Sequence, residues 1–279
     1  MAHHVNDATL EPENYTTPGD ATVASVPEGA SRAEATVEIE GGGAGLSGPG
    51  GSFTIRFAAD AQSSRLVAPS PDPQIVDDGA TLLTTTTLLD GDVATYELEL
   101  SEDVQGATIR GATDTTTVLL TGEHGQLVGG VVDGGSTDAE GNPVATEIVI
   151  DGTTITQMVA PGQSPTYPVY AVAAASTVWY SWVNVVTNLP RGYRVDANPT
   201  AAGRKQIAWN LHSLHVDHVR AHLTSQGKIG FWNWNIEQQF VCHVVGAYFP
   251  PGVYNMESWQ PALSWQSIAN PWDRCNRIK

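Results

Sequence analysis

The residues best suited to chemistry sit near the C-terminal end of the chain. In Gln238-Gln-Phe-Val-Cys-His243 an imidazole directly follows a cysteine, Glu237 lies six residues upstream of it, and Asn255 and Glu257 follow in Tyr254-Asn-Met-Glu-Ser-Trp-Gln-Pro261. A histidine oriented by a carboxylate can act as a general base. His243 with Glu237 or Glu257, and Asn255 beside them, therefore form the candidate catalytic set. A buried histidine bonded to a main-chain carbonyl accounts for the same residues without a reaction. No Gly-x-Ser-x-Gly elbow marks a serine nucleophile, and a disulfide at Cys242 would remove its thiol as one.

His212, His215, His218 and His222 recur at spacings that place them within roughly 120° of one face of an α-helix. Imidazoles one turn apart can hold Zn²⁺ or Cu²⁺. The same spacing describes a polar helix face, or a surface that gains charge in acid. The His-Glu-x-x-His arrangement of zinc hydrolases is absent, because Val216 and Asp217 occupy the intervening positions. The polar face is the expected reading, and no cofactor is implied.

Trp232, Trp234, Trp259 and Tyr254 form a third group, interleaved with Asn, Gln and Arg. Most of such aromatics serve a core, each burying a large area. One or two of them as exposed platforms beside amides would suit sugar rings, which makes these four the candidate binding residues.

The elements that must position these groups divide sharply by composition. The chain has 279 residues, 30 acidic and 13 basic, for a net charge of −17. Of these, 25 acidic and 4 basic residues precede position 171, while all eight Trp and both Cys follow it. Two such compositions predict two domains: an acidic β-rich domain over 32–170 and a Trp-rich α+β domain over 171–279. A Pro-, Glu- and Thr-rich disordered tail is expected over 1–31.

Period-two alternation over 35–40, 52–57, 93–100 and 116–120 predicts strands with one face inward. Asp151-Gly152 between two alternating runs predicts a hairpin turn. The glycine-rich 41–51 reads as a flexible loop; it lacks the Gly-Lys-Ser/Thr ending of a phosphate cradle. Asp133, Asp138 and Glu140 lack the spacing of a calcium loop and read as solvated acidic surface. In the second half, 177–186 and 193–197 read as strands. One long helix is expected from Pro199, capped by Asn198, through Leu223 to a stop near Gly227. The expected fold is a mainly β N-terminal domain, an antiparallel sandwich or roll, plus a smaller α+β domain with one long helix and a disulfide.

Cys242 and Cys275 are the only cysteines. A disulfide between them would close a loop of about 33 residues and contribute roughly 3–4 kcal/mol; two reduced, buried thiols are the alternative. Low Lys content with abundant Thr and Gly favours the disulfide and a secreted, extracellular setting. The first residues show no basic stretch followed by an apolar run, so no signal peptide is visible and the start reads as a mature or recombinant terminus. The apolar 167–186 contains Pro168, Ser176, Ser181 and Asn184 and suits buried strands better than a transmembrane span. A chain this acidic is not a general nucleic-acid binder, because phosphate neutralisation needs clustered Lys and Arg.

Pro199-Thr-Ala-Ala-Gly-Arg204, Gln239-Phe-Val-Cys-His243, Tyr254-Asn-Met-Glu-Ser-Trp-Gln-Pro261 and the final Cys275-Asn276 together resemble the domain-of-unknown-function family 2599 of secreted actinobacterial proteins. The resemblance covers roughly 177–277. Position 260 is Gln where that pattern has Arg, and the four-histidine face is not part of it. Residues 129–169, ending in Tyr-Pro-Val-Tyr, resemble the β-rich segment with Tyr-Pro-Val-Val that precedes varied terminal domains in such proteins. The resemblance implies secretion and a carrier or pro-region followed by an effector, without a known reaction.

Two functions follow as expectations. The first is a secreted bacterial protein whose C-terminal domain binds a cell-envelope glycan or another extracellular target. The second is a secreted hydrolase or antibacterial toxin that uses His243 with Glu237 or Glu257. Neither the ligand nor the oligomeric state is set by the sequence.

Overall fold

Alternating apolar residues in the first half of the chain need a second sheet to cover them, and the fold provides one. The computed structural model describes residues 26–57, 73–110, 116–207, 209–246, 252–269 and 275. One six-stranded antiparallel sheet runs in the order Thr146–Asp151, Thr154–Val159, Ala94–Leu100, Gly51–Phe57, Gly43–Gly48, Thr36–Glu40. The other runs Gln74–Val76, Thr81–Leu88, Val169–Ser176, Leu127–Asp133, Thr116–Thr121, Gln105–Arg110. Their inner faces share one apolar cluster, with Leu46, Phe53, Ile55 and Ile148 from the first sheet meeting Leu82, Val118, Leu120 and Val131 from the second. The Asp151-Gly152 hairpin forms as expected, with Asp151 opposite Thr154 and Gly152 at φ +60°.

Two expectations for this half are corrected. The glycine-rich 41–51 is not a free loop, since Gly43–Gly48 is a strand bonded on both sides. Ala44 and Leu46 alternate into the core, and a side chain at Gly43 would meet the Ile55 carbonyl at 2.7 Å. Asp133 and Asp138 are not solvated. Asp133 Oδ1 accepts from the Gly135 and Ser136 amides at 3.0 Å each. Asp138 accepts from the amides of Glu140, Asn142 and Thr166. Burial works against the Asp138 charge, yet the Asn142, Thr166 and Glu140 bonds outweigh it and hold the carboxyl below its ordinary value.

The second half forms a four-stranded antiparallel sheet, ordered Ser31–Arg32, Tyr180–Leu189, Gly192–Pro199, Tyr254–Glu257. Among the described residues four α-helices lie around it: α1 (Ala201–Lys205), α2 (His212–Ser225), α3 (Trp234–Val245) and α4 (Trp265–Ile268). The single long helix expected from position 199 is broken into α1 and α2. Thr200, rather than Asn198, caps α1 by accepting from the Gly203 amide at 3.2 Å. The break follows from Gln206. Its carbonyl, which a continuous helix would give to the amide of residue 210, accepts instead from His215 Nε2 at 2.7 Å. Its side chain accepts from Trp179 Nε1 and donates to the Val118 carbonyl, both at 2.6 Å.

Val118 lies in the sandwich, so the same glutamine ties the two halves together. The second apolar cluster takes Leu119, Val132 and Ala174 from the outer face of a sandwich sheet and packs them with Trp179, Ala202 and Ile207. The boundary expected at position 170 falls inside the strand Val169–Ser176. The last residues of the expected tail are also placed: Ser31 pairs with Val183, and the Gly29 carbonyl accepts from Lys228 Nζ at 3.2 Å. The remainder of that tail, residues 1–25, lies outside the described residues. Cys242 and Cys275 form the disulfide, packed with Ile268. Among the described residues, no helix is long and apolar enough to cross a membrane.

Candidate functional site

The strand Tyr254–Glu257 has one edge paired with Gly192–Pro199; α3 covers the other. Alternate residues of a strand aim their main-chain groups at opposite edges, so Asn255 and Glu257 face the helix. Gln239 Oε1 accepts from the Glu257 amide at 2.8 Å, and its Nε2 donates to the Glu257 carbonyl at 3.0 Å. One turn later His243 Nε2 donates to the Asn255 carbonyl at 3.1 Å. Two helix side chains thus substitute for a neighbouring strand and close an edge that would otherwise invite pairing.

This arrangement defines the state of His243. A carbonyl only accepts, so Nε2 carries the proton. Burial pushes the imidazole down to about 4, against the smaller raising effect of the Asn255 carbonyl. The ring is neutral at neutral pH and lies nearly parallel to Tyr254, with centroids 5.3 Å apart.

The carboxylates expected to join His243 are directed elsewhere. Six residues along a helix correspond to about 9 Å of rise and roughly 120° of rotation, which separates Glu237 from His243 on α3. Glu237 Oε2 accepts from Trp232 Nε1 at 3.0 Å. Glu257 Oε2 accepts from Gln260 Nε2 at 2.5 Å, so this acid is engaged by a neighbouring side-chain amide. Among the described residues, no carboxylate is bonded to His243.

Asn255 and Glu257 belong to a polar face that the sequence analysis did not single out. Cross-strand partners share a face, and the register aligns Asn184, Asp196 and Asn255 in one row, with Arg194 opposite Glu257 in the next. Arg194 donates to Asp196 through Nε at 2.6 Å and Nη2 at 2.8 Å. Asn198, expected as a helix cap, donates instead to Ser181 Oγ at 2.9 Å. The signal was present in Tyr193-Arg-Val-Asp-Ala-Asn198, where polar residues alternate strictly with Val and Ala.

The four histidines do not form an outward polar face. His215 is fully buried, stacked on Trp179 at 4.0 Å. Since its Nε2 donates to Gln206, its Nδ1 accepts from the Tyr180 hydroxyl at 2.8 Å. Burial pushes His215 and His218 down to about 3 and His222 to about 4. His212 remains half-buried beside Trp265, with ring centroids 6.0 Å apart. The described residues contain no cluster of His, Cys, Asp and Glu able to hold a metal ion.

The aromatic candidates separate by exposure. Tyr254, proposed as a platform, is only 6% exposed and packs with Phe240, Tyr180 and His243. Trp232 and Trp259 are half-buried. Trp234 is 54% exposed, the highest value among the large apolar residues described. It opens α3 directly after Asn233, whose Oδ1 caps the helix by accepting from the Ile236 amide at 3.1 Å.

A groove of about 700 Å³ runs between α2 and α3. Val216 and Val241 line it along with Trp265, and Asp217, Arg220 and Glu237 supply its charges. Glu237 and His212 are the sequence-derived candidates it includes. No known protein family, curated protein or solved structure matches the chain.

Proposed function

We propose that this is a secreted bacterial binding protein whose C-terminal half attaches to a cell-envelope glycan or another extracellular target. The observation that carries this reading is Trp234, an indole left largely in water on a helix end fixed by its Asn233 cap. Exposed aromatics at rigid positions supply contact area at little entropic cost. The Cys242–Cys275 disulfide supports an oxidising compartment. The hydrolytic alternative, His243 with Glu237 or Glu257, draws no comparable support, because each of those side chains is bonded to a structural partner.

Co-sedimentation of the full chain with isolated bacterial envelope tests this. Trp234→Ala is expected to weaken sedimentation roughly tenfold, about 1.4 kcal/mol, with an unchanged circular dichroism spectrum. Undiminished sedimentation of that variant overturns the role of Trp234. A hydrolytic activity lost in a folded His243→Ala variant overturns the binding reading in favour of the enzyme.

A further inference from the structure

We infer that the groove between α2 and α3 is a saccharide site, that it takes a neutral or amine-bearing oligosaccharide, and that the bound chain continues over Trp234. This rests on the envelope-binding reading above and narrows it to one place and one ligand class.

The groove has the size and mixed lining of a small-ligand cleft, about 700 Å³ with an apolar floor and a few convergent polar groups. Its floor is Val216 from α2 and Val241 from α3. Trp265 forms a wall, held by a bond from its main-chain amide to Gln238 Oε1 at 3.0 Å and by edge contact with His212. Trp234 precedes Glu237 and Gln238 by about one turn, so it lies on the α3 face that lines the groove. The Trp265 wall on α4 and the exposed Trp234 indole at the start of α3 provide two stacking surfaces, with polar groups of α2 and α3 beside them.

The chemistry of the rim favours sugar hydroxyls. Glu237 is fixed through Oε2 by Trp232 Nε1, and its other oxygen has no protein partner among the described residues. Asp217 offers a second acceptor, and Arg220 offers donors. A hydroxyl both donates and accepts, so it can use carboxylate and guanidinium together.

Other ligand classes fit less well. Helical walls have already used their main-chain amides and carbonyls, so an extended peptide finds no strand edge to pair with. An amphipathic helix would need a continuous apolar trough, and the floor is two valines. Two carboxylates against one guanidinium repel an acidic polymer.

The test is isothermal titration of the full chain with defined β-linked tetrasaccharides of glucose, N-acetylglucosamine and glucosamine, and with a uronic-acid tetrasaccharide as the acidic probe. At least one neutral or amino tetrasaccharide is expected to bind. Asp217→Asn and Glu237→Gln, both of which preserve shape, are each expected to raise Kd roughly tenfold without moving the thermal midpoint. Unchanged binding in the double variant overturns the groove assignment, and preference for the acidic probe overturns the ligand class. If no tetrasaccharide binds while the chain still sediments with envelope, the saccharide inference fails and the broader reading stands. If the chain does neither, both fall.

Discussion

His243 Nε2 donates to the carbonyl of Asn255, across the gap between α3 and the edge of the four-stranded sheet. The residue with the strongest catalytic appearance in the sequence thus acts as part of a joint. Gln239, one turn earlier, makes two bonds to Glu257 in the same joint.

Removing that joint should cost stability before it costs any function. Gln239 is 1% exposed, and Gln239→Ala leaves both the amide and the carbonyl of Glu257 without their partner. Each unsatisfied buried group costs about 1–3 kcal/mol. Urea titration should show Gln239→Ala more destabilised than His243→Ala, which loses one bond. An equal or reversed order would sink the edge-closing account.

Acid should loosen the C-terminal half. His215, His218, His222 and His243 have folded pKa values of about 3 to 4, all lowered chiefly by burial, against 6.5 when free. Below pH 6.5 the unfolded chain takes up protons that the folded chain refuses, so stability rises with pH through that window and is lost as pH falls. The loss approaches about 1.4 kcal/mol per histidine per pH unit between roughly 6 and 4. Thermal midpoints measured from pH 8 to pH 4 should fall steeply only below about 6.5. His215→Gln should flatten the slope, and a slope unchanged by that variant contradicts the assignment.

Gln206 should matter to both halves. Gln206→Ala strands the buried Trp179 indole N–H and removes the side-chain bond to the Val118 carbonyl, at a cost of about 1–3 kcal/mol for the unsatisfied indole. Because Val118 belongs to the sandwich, hydrogen exchange should rise in Thr116–Thr121 as well as in α1 and α2. Protection lost only in the helices would mean that the seam does not couple the halves.

The Cys242–Cys275 bond anchors the end of the chain to α3. The double variant Cys242→Ala, Cys275→Ala should lower stability by about 2–4 kcal/mol. Proteolysis should then cut near residue 269 much sooner than in the oxidised parent. Identical digestion patterns would show that the bond carries no such load.

Some of this protein was legible from its residues alone. Period-two alternation gave the strands Thr36–Glu40, Gly51–Phe57 and Ala94–Leu100 to within a residue or so. Asp151-Gly152 gave its hairpin, and the two cysteines gave their bond. These features are local, or depend on a pair with no competing partner. The histidine spacing likewise grouped four residues on one side of a helix, but could not say whether that side met water or Trp179 and Tyr180.

Only the tertiary structure decided the rest. It broke the expected long helix at Gln206, because a carbonyl and an amide found better partners in His215, Trp179 and Val118. It turned Glu237 toward a groove and gave His243 a main-chain carbonyl. It also placed Leu119, Val132 and Ala174 of the acidic half within the apolar cluster of the aromatic half. Spacing along the chain fixes which residues share a face of an element. Which surface that face meets depends on contacts between residues far apart in sequence, and neither composition nor periodicity encodes those contacts.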